Sequence, residues 1–365
     1  MEYQTLYNKL VENLYYPIET KKLNELEKMM KENKRFFVLG SGRTGYVCEF
    51  FSSVFNDNKP FSSFVIGDRY KIESLKDGLL IAASGSGKTP YVISRLQTIN
   101  KKVNVVSLTA NETSPISSLS NKIITIKDKR QRKKKYNIDG DIQKHLPLTL
   151  LGTSFELKLM TTLMALNDYY FRHSQNIKKG YKYLVDSLKS NLDERKISEL
   201  TELLIKKRNN RIFITGHYQC GIVSNYIINR WKNLGFKLTN PRSAESPRMK
   251  KEDLVLIISG SGQEYLNGEK GFEHYYYKYI YDICEKRNVE KALITSNTES
   301  SLALNSDLVV PIKGRDYLKR ILPKKSTDYL FEMKTMLLEA VITHKIAEKL
   351  NITESQMKEN HSDFV

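Results

Sequence analysis

Two short segments carry residue types suited to holding an anion. Gly40-Ser41-Gly42-Arg43-Thr44-Gly45 and Ser84-Gly85-Ser86-Gly87-Lys88-Thr89 each follow an apolar run and precede a helical pattern. Helix N-termini present unpaired N–H groups and a partial positive charge, glycines let an anion approach the backbone, and hydroxyls add donors. Two such loops in one domain predict a cradle for one phosphate group. Ala82 to Thr89 also reads A-x-x-x-x-G-K-T, one glycine short of the P-loop pattern. Pro90 follows it directly, and a second occurrence of the segment keeps Ser-Gly-Ser-Gly but not Lys-Thr, so a nucleotide triphosphatase is disfavoured.

That second occurrence belongs to an internal repeat. Phe36 to Gly40 matches Ile212 to Gly216, 176 positions on; Ser84 matches Ser259, 175 on; Phe155-Glu156 matches Phe331-Glu332, again 176 on. Thr109 and Thr295 are 186 apart, so the second copy carries about ten extra residues near Gly268 to Tyr281, and the first a similar excess after Lys127. Within each copy, short apolar runs bounded by Gly or Ser alternate with longer amphipathic stretches, the pattern of an α/β fold. Leu79 to Ala83 is apolar throughout, which suits a central strand of a parallel sheet covered on both faces. Ligands of such sheets lie beyond the carboxyl ends of the strands, where the Gly/Ser clusters fall. The charged helical stretch from Ile177 to Asn210 is expected to open the second copy, as Leu6 to Met30 opens the first.

Composition agrees with a folded, anion-binding chain. Its 365 residues suit about two domains at roughly 150 residues each. The formal charge of +18 favours an anionic partner. There is no run near the roughly 20 apolar residues of a spanning helix and no leader-like start, so a cytoplasmic protein is expected. Cys48, Cys220 and Cys284 show no C-x-x-C spacing, and His145, His173 and His344 no metal-ligand spacing. No metal or cofactor is expected.

G-x-G-R-[ST]-G-Y at Gly40 to Tyr46, S-G-S-G-x-T at Ser84 to Thr89 and L-x-G-T-x-F-E at Leu150 to Glu156 together resemble the sugar-isomerase (SIS) domain, and within it the 6-phospho-3-hexuloisomerases. Met357 to Ser362 resembles that branch's C-terminal K-R-H-x-N segment. The resemblance implies two tandem SIS domains, residues 1–174 and 175–365, each a parallel-sheet α/β sandwich of flavodoxin-like or Rossmann-like type. It implies a phosphosugar site at Gly42, Arg43, Thr44, Ser84, Gly85, Ser86 and Thr89, with Glu156 as base and His361 as its partner. Moving a carbonyl along a sugar chain through an enediol needs a proton taken from carbon and another shuttled between oxygens. The carboxylate suits the first task and the imidazole the second. Read without the motif, Glu156 is an ordinary exposed charge beside Leu159, Leu163 and Leu166, and Arg43 serves a substrate oxygen, a phosphate or a salt bridge. Thr353-x-x-Gln356 is a capping-box pattern that would start a short helix leading to His361.

The copies are not equivalent. Aligning Gly40 with Gly216 sets Tyr218 opposite Gly42, Gln219 opposite Arg43 and Cys220 opposite Thr44, while Gln263 and Glu264 replace Lys88 and Thr89. A carboxylate there repels a phosphate, so the cradle of the second copy reads as degraded. One complete site per chain is expected: the first copy supplies cradle and Glu156, the second supplies His361. A homodimer of such pseudo-dimeric chains is compatible with this reading. The basic run Lys127 to Lys135 lacks interleaved aromatics and a helix-turn-helix companion, so nucleic acid is disfavoured as partner and a sugar phosphate favoured. The rival readings are a non-catalytic phosphosugar-binding regulator and an isomerase of glucose, mannose or arabinose phosphate; the E-x-x-x-x-S-T-K motif of the aminosugar branch is absent.

Overall fold

A computed structural model describes residues 2–15, 18–33, 35–56, 62–65, 78–99, 103–127, 153–172, 177–262, 274–314 and 329–360. In chain order the elements are α1 (Tyr3–Leu14), α2 (Thr20–Glu32), β1 (Arg35–Leu39), α3 (Gly42–Asn56), β2 (Ser62–Val65), β3 (Leu79–Ser84), α4 (Pro90–Ile99), β4 (Asn104–Thr109), α5 (Pro115–Ser118), β5 (Lys122–Thr125), α6 (Thr153–Arg172) and α7 (Ile177–Ser187). They continue as α8 (Glu194–Lys206), β6 (Arg211–Gly216), α9 (Gln219–Lys232), β7 (Lys237–Thr239), β8 (Leu254–Ser259), α10 (His274–Arg287), β9 (Glu290–Thr295), α11 (Ser301–Leu304), β10 (Leu308–Pro311), α12 (Leu330–Lys349) and α13 (Glu354–Glu359). Residues 9–189 form the main body of one compact unit, and residues 1–8 with most of 190–360 form another.

Each unit is built on a five-stranded parallel sheet. The orders are β2-β1-β3-β4-β5 and β7-β6-β8-β9-β10, the same topology twice. This is the 2-1-3-4-5 order of flavodoxin-like sheets, one of the two types that the resemblance implied, and the parallel α/β build is the one the alternating pattern led us to expect. The central strands β3 and β8 are buried at every residue, which explains their unbroken apolar runs. In the first unit Phe37, Leu39, Leu80 and Ala82 pack with Val92, Leu96 and Ile99 of α4. In the second, Phe213, Val255 and Ile257 pack with Tyr277, Tyr281 and Cys284 of α10. Small polar anchors repeat as well. Asn111 and Asn297 each accept from the backbone two residues on, at 3.2 Å, and Lys158 and Lys334 each donate to a carbonyl at 2.8 Å, of Lys127 and Lys313.

The stretch expected to open the second copy divides. In α7 the face made by Ile177, Tyr181, Leu184 and Val185 is buried, the Tyr181 hydroxyl donates to the Leu14 carbonyl at 2.7 Å, and the Tyr15 hydroxyl donates to Asp186 at 2.5 Å. These contacts hold α7 in the first unit. Helix α8 lies in the second, where Glu202 pairs with Lys349 of α12. No described helix is long and apolar enough to cross a membrane.

Candidate functional site

In the first sheet β2 and β3 flank β1, so the chain's direction of winding reverses at the carboxyl ends of β1 and β3. Open α/β sheets leave a crevice there. Both Gly/Ser loops lie at that point. After β1 the chain turns within two residues into α3: an added Cβ on Gly40 would sit 2.9 Å from the backbone of Thr44 and Gly45, and Gly42 takes a positive φ of 54°.

The second loop is ordered by its own hydroxyls. Ser84 Oγ accepts from the Gly87 amide at 3.1 Å and lies 2.9 Å from Thr89 Oγ1, and Ser86 Oγ accepts from the Lys88 amide at 3.1 Å. The Ser84–Thr89 pair uses one of its two hydroxyl protons internally, leaving the other for an anion. Gly87, with φ of 66°, packs against Ser114, whose Oγ would lie 2.0 Å from an added Cβ. Pro90, at the first position of α4, gives up an N–H that the helix would not have paired.

Helix α6 brings the carboxylate. Phe155 packs against Gly85, an added Cβ on which would meet the ring at 3.0 Å, so the start of α6 is pinned to the Ser84 loop. Glu156 follows in the first turn and is only 6% exposed, so the reading as an exposed charge does not hold. Arg43, 7% exposed, lies 3.3 Å from Glu156 Oε1 through Nη2 and donates through Nη1 to Thr153 Oγ1 at 3.2 Å. Glu156 Oε2 is buried and meets no hydrogen-bond partner among the described residues. Of the expected site residues, Arg43 and Glu156 are thus joined, while Ser84 and Thr89 form a second joined pair. Gly42 and Thr44 lie at the start of α3, and Gly85 and Ser86 in the second loop. His361 lies outside the described residues, as do Leu150 to Gly152, Gln263, Glu264 and the basic run beyond Lys127. Lys127 itself pairs with Glu19 at 2.9 Å. The capping box at Thr353 is formed and starts α13.

Sequence reading missed Thr153 and Ser114. Thr153 was visible only as the T of the G-T-x-F-E motif. Ser114 recurs as Ser300 in T-A-N-E-T-S and T-S-N-T-E-S, a signal that the repeat already carried. Burial pushes the thiols of Cys48 and Cys284 up to about 12, so neither supplies a thiolate nucleophile at neutral pH. His344 is buried in α12. Among the described residues there is no cluster of three or more His, Cys, Asp or Glu placed to hold a metal ion.

The matching point of the second sheet is rebuilt. Gly260 packs on Phe331 at 3.1 Å, Gly262 has φ of 60° against Ser300, and Ser259 Oγ accepts from the Gly262 amide at 3.1 Å, as in the first copy. Glu332 is again buried, but it accepts from the Cys220 thiol at 3.1 Å, and Gln219 occupies the place of Arg43. Tyr218 stands where the first copy has Gly42 and keeps the positive φ, 52° with ψ of −126°, at 62% exposure. A tyrosine in a glycine conformation stores about 1–3 kcal/mol of strain. Tyr218→Gly is therefore expected to raise stability by about 1 kcal/mol, after allowing for the greater unfolded-state freedom of glycine. Urea unfolding checks this: a lower midpoint would mean that the ring contacts outweigh the strain.

No family model matches the chain. It is 30% identical over 145 residues to an uncharacterized protein of Aeropyrum pernix, covering 39% of this chain and 68% of that protein. It is 25% identical over 174 residues to a 3-hexulose-6-phosphate isomerase of Methanocaldococcus jannaschii, covering 47% of this chain and 86% of that protein. Each match is about one repeat long. Among solved structures, the C-terminal domain of glucosamine-fructose-6-phosphate aminotransferase from Francisella tularensis shares the fold with a TM-score of 0.60 at 10% identity, over 93% of this chain and 95% of that one. Tagatose-6-phosphate ketose/aldose isomerase from Escherichia coli does so with a TM-score of 0.55 at 13% identity, over 91% of this chain and 88% of that one. Both alignments run across the two sheets rather than one. With the doubled 2-1-3-4-5 sheet and its paired Gly/Ser loops, these likenesses show the fold of two tandem sugar-isomerase (SIS) type domains in one chain.

Proposed function

We propose that the chain is a phosphosugar isomerase that moves a carbonyl along the sugar by proton transfer through an enediol, with a 3-hexulose 6-phosphate as the substrate. The observation that carries this reading is the Glu156 carboxylate: buried beside the phosphate-type loop, tied through one oxygen and, among the described residues, unpartnered at the other. A group held this way is poised to take a proton from a carbon adjacent to a carbonyl. The hydroxyls of Thr44, Ser84, Ser86 and Thr89, with the amides of the two loops, bind the phosphate and fix the reacting carbons against Oε2. Glu156 takes the proton from carbon, the C–H electrons form the enediol double bond, and the carbonyl oxygen becomes a hydroxyl by gaining a proton. Return of a proton to the neighbouring carbon completes the shift. His361 is the proposed carrier of the oxygen-to-oxygen proton. The named isomerase of Methanocaldococcus jannaschii supports the choice of sugar.

Incubation with hexulose, hexose and pentose phosphates in deuterated water, followed by NMR, tests the reading. Isomerisation of 3-hexulose 6-phosphate with deuterium incorporated at the reacting carbon is the expected result. Saturable phosphosugar binding with neither turnover nor exchange would overturn it in favour of a regulator.

A further inference from the structure

We infer that Arg43 is a positioning residue for the base and takes no part in holding the phosphate. This rests on the proposed role of Glu156. Three observations carry it. Arg43 stands at the head of α3 between two anion-type loops, where sequence alone suits a phosphate ligand, yet the side chain is 7% exposed and turned to α6. Its two guanidinium arms are divided between Glu156 Oε1 and Thr153 Oγ1, both on the first turn of α6, so the planar fork fixes the carboxylate's rotation as well as its place. The oxygen it does not hold, Oε2, is the buried one with no hydrogen-bond partner among the described residues. Clamping one carboxylate oxygen makes the other the single proton acceptor.

The second copy supplies the contrast. It keeps the Phe-Glu pair at the head of its long helix, but the uncharged Gln219 stands in the place of Arg43, and the Cys220 thiol donates to Glu332 Oε1. An amide carries no charge, and a thiol is a weak donor. On this inference Arg43→Gln gives the first copy the second copy's residue at that position, with Thr44 kept where the second copy has Cys220.

The test is steady-state kinetics of Arg43→Gln, Arg43→Lys and Thr153→Val beside Glu156→Gln, with binding of inorganic phosphate measured by calorimetry. A base freed to rotate away by about 1 Å costs about 10²-fold in rate. Arg43→Gln is expected to lose about that much kcat with KM and phosphate affinity within twofold of wild type. Arg43→Lys keeps the charge but not the fork and should recover part of kcat. Thr153→Val leaves the charge pair and removes one anchor, so it should lower kcat several-fold without moving KM, which keeps the question answerable if Arg43→Gln does not fold. A tenfold or greater rise in KM or loss of phosphate affinity, with kcat kept, would make Arg43 a substrate ligand and overturn the inference. Unchanged kinetics in all three variants would overturn it too. If Glu156→Gln itself turns over normally, the base assignment fails and the inference falls with it; if Glu156→Gln is inactive and the Arg43 variants change KM alone, only the inference fails.

Discussion

Replacing Glu156 by Gln should lower kcat by about 10²–10⁴-fold, the range a positioned general base contributes. Gln preserves volume and an acceptor oxygen facing Arg43, so packing on Thr153 and Phe155 persists while proton abstraction is lost. Phosphosugar affinity, which on the proposed reading rests on Ser84, Thr89 and the loop amides, should stay within a few-fold. Glu156→Asp shortens the reach by one methylene and should fall between the two, near 10²-fold. Isomerase kinetics and phosphosugar calorimetry on the same preparations separate these quantities. A Gln variant that turns over at the wild-type rate would remove Glu156 from the chemistry, and one that no longer binds the sugar phosphate would make it a ligand instead.

Gly87→Ala and Gly262→Ala should each destabilise their own unit by about 2–4 kcal/mol. At both positions the backbone has a positive φ, 66° and 60°, which costs an alanine about 1 kcal/mol or more. Both also face a serine: an added Cβ would lie 2.0 Å from Ser114 Oγ in the first copy and 2.1 Å from Ser300 Oγ in the second. Overpacking of that kind adds about 1–3 kcal/mol. Neither serine can yield cheaply. Ser114 Oγ bonds Ser117 Oγ at 2.8 Å, and Ser300 Oγ donates to the Asn297 carbonyl at 2.8 Å while capping α11. The functional consequences should differ, since Gly87 shapes the proposed cradle and Gly262 its remodelled counterpart. Only Gly87→Ala should weaken phosphosugar binding, by tenfold or more. Urea unfolding and calorimetry would show this; equal losses of affinity would assign the ligand to both copies. Ser114→Gly combined with Gly87→Ala should recover part of the stability.

Much of this architecture could be read before any coordinates. The offset of about 176 residues between Phe36 to Gly40 and Ile212 to Gly216 reappears as two sheets of one topology, and the alignment that set Tyr218 opposite Gly42 reappears as positive φ at both residues. The Ser-Gly-Ser-Gly motif, read in the sequence as an anion loop, proves to be a packing rule. Gly85 and Gly260 admit the rings of Phe155 and Phe331, and Gly87 and Gly262 admit Ser114 and Ser300. These features are local or repeated, and so they leave a signature in spacing. Helix α7 leaves none: its amphipathic pattern serves equally to begin one copy or to finish the other, and only the partners of Tyr181 and Asp186 place it.

Residue types and spacing alone therefore determined the class of fold, the doubling and the place of the two loops, because glycine conformation, strand burial and helix capping act within a few residues. Tertiary structure decided what Arg43 faces. A guanidinium at a helix N-terminus between two anion-type loops suits a phosphate and a carboxylate alike, and its partner stands 113 positions away on α6. Phe155 packed on Gly85 brings that carboxylate within reach, and burial of both groups makes the ion pair the favoured partner for each.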